Sequence, residues 1–381
     1  MRFFYILLFT MISTFGYAQH KHKVTTILNS PTVDIDDALA LDSKGNLYGS
    51  NFGNYAGNTV YKVTPTGEVS AFVIDLKAPN GLAFDSNDNL FVVEFLGGAI
   101  HKYDSNGNLL KTYEVGGYPS GLIKEFRSDN MIFTNSADSS VNKLSQDGTV
   151  IVLHKGAPLL YPVGLAYSKS GKLFVGNYEG REIHSLNCYG ELEYVATVPD
   201  SGTDFPYLGF ITYAKGNIYA TVYGEHKIYK VNPRKIDDVK VYAGSIQGNT
   251  DGNISKATFT YPAGIIASKS GKELYISEYK STGNVRKITR KKKKNKIKIN
   301  LKVSPNPVSE ILKIKGQVPS KGSVKIKIFN LYGRNVFECV IATDNKKFKK
   351  EVNLKNWSTG LYQVVMYHKQ NKISKRIIVK K

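Results

Sequence analysis

Two sets of side chains in this sequence could hold a ligand, and both recur at near-constant spacing. The first stands directly before a repeated Gly-Leu-type step: Asp37 (before Ala38), Asn80, Ser120, Val163, Leu208 and Ala263. The second closes the next apolar run of each repeat: Asn51, Glu94, Asn135, Asn177, Val222 and Glu278. In the first three repeats both sets carry oxygen, whereas in the last three the first set is apolar. Asp34 and Asp36 add acid beside Asp37. Oxygen donors without His or Cys suit Ca²⁺ or Mg²⁺ rather than Zn²⁺. Asp37, Asn80 and Glu94 form the candidate metal set, and Asn51, Asn135 and Asn177 supply further neutral oxygens for a ligand. A second chemistry rests on Tyr118, Tyr161 and Tyr261, each followed by Pro, whose phenol rings could stack on sugar. The ordinary alternatives are that the polar groups bond loop backbone and that the tyrosines pack between repeats. Both readings stay open at this point.

Other chemistries find no support. The two cysteines, Cys188 and Cys339, fall in different domains and have no His or Cys companions at metal-ligand spacing. His101 and His184 occupy the repeat position also filled by Tyr61, Asn142, Tyr229 and Arg286, so that position reads as structural. The Asp-Ser-Asn stretches lack the Gly at position six and the Glu at twelve of a calcium loop, and read as Asx turns. No Ser/His/Asp arrangement or phosphate loop stands out.

These residues sit on a repeated unit seen most clearly at Pro79–Asn108. Apolar, β-branched runs alternate there with Asp-x-Asn and Gly-Gly turns. The central apolar position recurs at Leu47, Leu90, Met131, Leu173, Ile218 and Leu274, in steps of 43, 41, 42, 45 and 56 residues. That is the period of a four-stranded propeller blade, so the expected fold is all-β, with a six-bladed propeller over residues 19–289. The last blade has three strands of its own, and Lys23–Leu28 is expected to supply the fourth and close the ring. The first strand of each blade then lines a central channel, and the candidate ligands open on one mouth of it.

The long stretch before the sixth repeat, Tyr242–Pro262 (YAGSIQGNTDGNISKATFTYP), resembles the full-length NHL repeat, and the shorter repeats are similar to degenerate members of that group. Ala78-Pro-Asn-Gly-Leu82 also resembles the Pro-Asn-Gly-Leu element of the SMP-30/gluconolactonase group. That resemblance implies a metal-ligating role for Asn80, while the group's catalytic Asp has no counterpart here. Two functions are therefore carried forward. One is a non-catalytic propeller binding a glycan, peptide or small ligand. The other is a metal-dependent lactonase-like hydrolase.

The ends of the chain speak to export. Met1–Gln19 combines Arg2, an apolar run Phe3–Phe15 and small residues Gly16 and Ala18, the pattern of a signal peptide over residues 1–18. No other apolar run approaches membrane-spanning length. Residues 290–381 carry 25 Lys and Arg against four Asp and Glu, whereas residues 1–289 carry 27 of each. The net charge of +21 thus belongs to a basic linker, 290–301, and a small β-sandwich, 302–381, and no nucleic-acid partner is expected of the neutral propeller. Val303-Ser-Pro-Asn-Pro-Val-Ser, Ile328-Phe-Asn-Leu-Tyr-Gly and Ser358-Thr-Gly-Leu-Tyr-Gln-Val resemble the sorting domain of type IX (Por) secretion substrates. The resemblance implies a Bacteroidetes-type cell, recognition by the type IX machinery, and a secreted or cell-surface destination.

Overall fold

A computed structural model describes residues 22–279, 285–290, 299–343 and 346–381; the segment read as a signal peptide and most of the stretch read as a basic linker lie outside them. The chain divides into two units, Met1–Lys292 and Lys293–Lys381.

The first unit holds six antiparallel sheets in sequence order, a six-bladed propeller. Blade two is representative, with strands Pro79–Phe84, Leu90–Glu94, Ala99–Tyr103 and Leu109–Glu114 running from the channel outward. Its second strand is buried at every residue and apolar from Leu90 to Val93, because neighbouring blades cover both faces. Phe91 and Val93 pack against Met131 and Phe133 of blade three, and the same apolar contact recurs around the ring. Burying each such side chain contributes roughly 1.5–3 kcal/mol.

The recurrent glycine before Leu is explained by close approach of backbones. A Cβ at Gly81 would lie 2.2 Å from the Ser120 carbonyl oxygen, one at Gly121 1.8 Å from that of Val163, and one at Gly264 2.0 Å from that of Asp37. In these blades the inner strand therefore abuts the residue at the equivalent floor position of the next blade. Hydroxyls reinforce the seam: Gly264 N donates to Ser277 Oγ at 2.8 Å, and Ser277 Oγ donates to the Asp37 carbonyl at 2.5 Å.

The last contact crosses the closure of the ring. His22–Leu28 pairs antiparallel with Val285–Arg290, placing Val24 opposite Ile288, so the N-terminal strand completes blade six as expected. The long stretch Tyr242–Pro262 adds a short outer strand, Gly252–Asn253, against the closing strand. Arg286 knits these pieces together. Fully buried, it donates to Glu278 Oε1 (3.1 Å), Asp251 Oδ1 (2.9 Å) and the Thr258 carbonyl (2.9 Å). Asp251 in turn accepts from Thr26 N on the closing strand at 2.9 Å.

The second unit is a sandwich of two sheets. One orders Asn300–Ser304, Ile311–Gln317 and Lys347–Asn353, and the other orders Asn335–Ala342, Ser323–Phe329, Gly360–His368 and Asn371–Val379. Val324, Ile326 and Ile328 face its core, while Lys325 and Lys327 point outward to Glu338 at 2.6 and 3.0 Å. The strand Asn300–Ser304 begins within the stretch read as linker.

Candidate functional site

At the channel mouth where the first strands begin lies a cavity of about 710 Å³. Its floor comes from four of the six residues at the repeat position read from the sequence, Asp37, Asn80, Ser120 and Val163; Leu208 and Ala263 are buried outside the lining, and Phe210, two residues further on, reaches the cavity in blade five. Ser120 Oγ donates to Asn80 Oδ1 at 3.5 Å, joining two of the polar groups.

The second expected set is placed differently, and the reason is the alternation of a strand. Asn51, Glu94, Asn135 and Asn177 end their strands facing away from the cavity, and the last three hold the loop that enters their own blade. Glu94 Oε1 accepts from Lys77 N at 2.9 Å, Asn135 Oδ1 from Tyr118 N at 3.0 Å, and Asn177 Oδ1 from Leu160 N at 3.1 Å. Glu278 repeats the device with Thr260 N at 2.9 Å, and Asn51 lies against the turn at Gly53 and Gly57. Successive side chains of a strand point to opposite faces, so it is the next residue that reaches the cavity. Phe52, Phe95, Ser136, Tyr178, Tyr223 and Tyr279 all do so. Each of the last five is fixed by a backbone bond to the residue before the inner strand of its own blade, as in Tyr178 N to the Tyr161 carbonyl (3.0 Å) and Tyr279 N to that of Tyr261 (2.8 Å).

The expected tyrosines do line the cavity: Tyr118 and Tyr161 are exposed at the rim, and Tyr261 is half-buried. With them come Tyr55, Tyr207 and Phe205, so eight tyrosines and four phenylalanines surround the opening. They form two arcs. Phe52, Tyr55, Phe95 and Tyr118 make one, with Phe95 and Tyr118 stacked at 5.2 Å. Phe205, Tyr207, Tyr178, Tyr223 and Tyr279 make the other, with Tyr178 and Tyr207 stacked at 4.4 Å and 11°. Tyr55, Tyr161, Phe205 and Tyr261 adopt left-handed backbone, with φ of 74°, 47°, 59° and 47°. That conformation costs a bulky residue about 1–3 kcal/mol and tends to occur at ligand clamps. Tyr261 is braced from behind, its N–H donating to His226 Nδ1 at 3.1 Å with the rings edge to face at 4.6 Å. Burial holds the His226 imidazole below its usual pKa, which keeps that nitrogen an acceptor.

Asp37 is the one carboxyl on the floor, and burial beneath this aromatic wall pushes its pKa well above the usual range, with the charge of Asp36 adding to the effect. The Tyr223 hydroxyl donates to Asp37 Oδ1 at 3.4 Å and opposes the rise. Asp36 is pushed up to about 7 by burial and by Asp34, although it accepts from Phe52 N at 2.7 Å and Gly53 N at 2.9 Å.

The metal set is not assembled. Glu94 is engaged with Lys77 N and stands 3.4 Å from His101 Nε2, which leaves Asp37 and the Asn80 amide on the floor. Among the described residues, no group of three or more His, Cys, Asp or Glu side chains could hold an ion. One raised carboxyl and one amide are a poor donor set for a hard cation, which takes several oxygens and favours charged ones.

Residues 302–380 match the family model for the secretion system C-terminal sorting domain. The chain carries an export tail. The sorting domain directs such chains through type IX secretion to the cell surface or beyond. No curated protein matches the chain. Solved structures show likeness over the propeller. An auxiliary nutrient binding protein from Bacteroides ovatus is 16% identical, with a TM-score of 0.57 over 72% of this chain and 78% of that one. A gluconolactonase from Xanthomonas campestris is 18% identical, with a TM-score of 0.53 over 70% and 89%. Virginiamycin B lyase from Staphylococcus aureus is 16% identical, with a TM-score of 0.52 over 71% and 99%. These likenesses establish the propeller fold. Among the described residues, no helix is long and apolar enough to cross a membrane.

Proposed function

We propose that this exported propeller is a binding module for an uncharged, ring-bearing ligand, best matched by a neutral oligosaccharide. The observation that carries the reading is the lining: twelve aromatic rings over a floor with a single carboxyl. Sugar rings present C–H faces to aromatic planes and hydroxyls to groups such as Asn80, Ser120 and the tyrosine hydroxyls. Burial disfavours the charged form of Asp37, so the floor suits a neutral partner. A volume of about 710 Å³ falls within the usual range of small-ligand sites. Calorimetry of the full chain against neutral trisaccharides of glucose, xylose, mannose and N-acetylglucosamine tests this. At least one should bind, and Tyr118→Ala and Tyr161→Ala, both at exposed rim positions, should each weaken it about tenfold. Absence of binding across the panel, or affinity indifferent to both changes, would overturn the reading.

The metal-dependent hydrolase is the second reading, favoured by the shared floor position of Asp37 and Asn80. It requires a Ca²⁺ or Mg²⁺ ion that stabilises the native state, by about 2.7 kcal/mol at a hundredfold excess over Kd. Given the diversion of Glu94, melting in millimolar Ca²⁺, Mg²⁺ or EDTA should give equal midpoints. A rise with either ion that Asp37→Ala with Asn80→Ala abolishes would restore this reading.

A further inference from the structure

The opposite mouth of the channel has a different chemistry. The turns between the first and second strands of blades three to six, with the inner strands of all six blades, surround a second opening of about 520 Å³. Phe210 borders both cavities, and the walls of this one are the apolar outer halves of the inner strands. Four exposed cations from four consecutive blades line it: Arg127, Lys169, Lys215 and Lys269. Among the described residues, no carboxylate lies within ion-pair distance of these four. A fifth cation, Lys124, is occupied by Asp129 at 3.3 Å and the Ser128 carbonyl at 2.6 Å. The one acidic residue in the lining, Glu125, accepts from Ser128 Oγ and Asn130 Nδ2 at 2.5 and 2.8 Å.

This charge is local. Residues 1–289 carry equal numbers of acidic and basic side chains, so the excess at this mouth does not follow from composition. Like charges brought to one concave rim repel each other, and low-dielectric walls focus their field on whatever enters. Between the cations stand half-buried aromatic side chains, Phe126, Tyr167 and Tyr213, the first two 6.0 Å apart.

We propose that this second mouth binds an acidic glycan, its carboxylate or sulfate groups held by Arg127, which lies over the Phe126 ring at 4.9 Å, and by Lys169, Lys215 and Lys269, and its sugar rings lying on Tyr167 and Tyr213. Four separate flexible arms around an opening match negative charges spaced along a chain better than one small anion, which calls for a fixed cradle of donors. A concave site with aromatic walls fits a sugar segment rather than a flat lipid surface. Export through the sorting tail brings the propeller to the compartment where acidic polysaccharides occur.

The test uses the full chain, whose basic tail also attracts polyanions, so the variants are paired. Lys169→Gln/Lys215→Asn/Lys269→Gln removes three of the four cations and leaves Arg127; Asn is used at Lys215 because its φ of 50° is left-handed. Lys315→Gln/Lys350→Gln/Lys375→Gln removes the same charge from exposed positions of the tail. Calorimetry at moderate salt uses an oligogalacturonate, a heparin tetrasaccharide and anionic phosphatidylglycerol vesicles. The mouth variant should lose at least tenfold in affinity for one or both acidic oligosaccharides, while the tail variant keeps its affinity. Loss for the uronate alone or for the sulfated sugar alone identifies the acid group. Equal losses in both variants, no effect of the mouth variant, or a mouth effect confined to vesicles would overturn the proposal.

Discussion

A carboxyl held at 5% exposure beneath phenyl and phenol rings loses most of the hydration that favours its charged form. For Asp37 the consequence is a measurable pH dependence. Its folded pKa lies above the unfolded value, so the stability it contributes is complete below about pH 3.9 and declines as pH rises toward the folded pKa. Over that interval one such group lowers stability by up to about 1.4 kcal/mol per pH unit. Asp36, raised to about 7, acts in the same direction up to that pH. Asp37→Asn keeps an oxygen for the Tyr223 hydroxyl and cannot ionise. Urea unfolding from pH 5 to 8 should therefore show a shallower decline in the variant than in the wild type. Parallel curves would mean that Asp37 ionises freely in the folded protein. The floor of the cavity was legible in the sequence because Asn80 and Ser120 precede glycines whose role is fixed by backbone contact, and Asp37 stands at the same repeat position before Ala38. The wall was missed by one position. A column of mostly aromatic residues stands directly after the second strands, at Phe52, Phe95, Tyr178, Tyr223 and Tyr279, and strand alternation would have assigned it to the channel. Tyr55 and Phe205 come from irregular loops, where no periodicity predicts direction.

At the scale of elements, the propeller depends on how its sixth blade is closed. The blade period was readable because each repeat carries its own turns and apolar strand, and the closing strand followed from the missing fourth partner. The buried ion pairs of Arg286 were not readable, since that repeat position holds Tyr, His or Asn elsewhere and only the folded insert brings Asp251 to it. A guanidinium with no exposed surface, shared between Glu278 and Asp251, is tolerated because its neighbours supply both charge and carbonyl acceptors. Removing it leaves Glu278, itself at 0% exposure, without its cation. Arg286→Met should therefore cost about 3–5 kcal/mol. Glu278→Gln in the same background should recover part of that loss by removing the uncompensated charge. Urea titration of the three proteins measures it, and a cost below about 1 kcal/mol for Arg286→Met would show that the insert and closing strand hold without this pair.

At the scale of the whole molecule, fold and export information are carried by different units. The apolar cluster of the tail draws only on residues from 299 onward, and the propeller clusters draw only on residues up to 288. Deleting 299–381 thus removes one core without opening another, and the ring closure between His22–Leu28 and Val285–Arg290 is untouched. Units with separate cores tend to fold separately. The truncated chain should melt as one cooperative transition within a few degrees of the propeller transition in the full chain. Because residues 302–380 are the sorting domain, the same truncation should abolish release, leaving the folded propeller inside the outer membrane. Attaching 299–381 to an unrelated periplasmic protein should conversely send that protein out. Cell fractionation with a propeller-specific antibody, together with melting of the purified truncation, separates the two claims. A truncated propeller that still reaches the medium would remove the sorting role from the tail, and one that is recovered unfolded would show that the two cores are not independent.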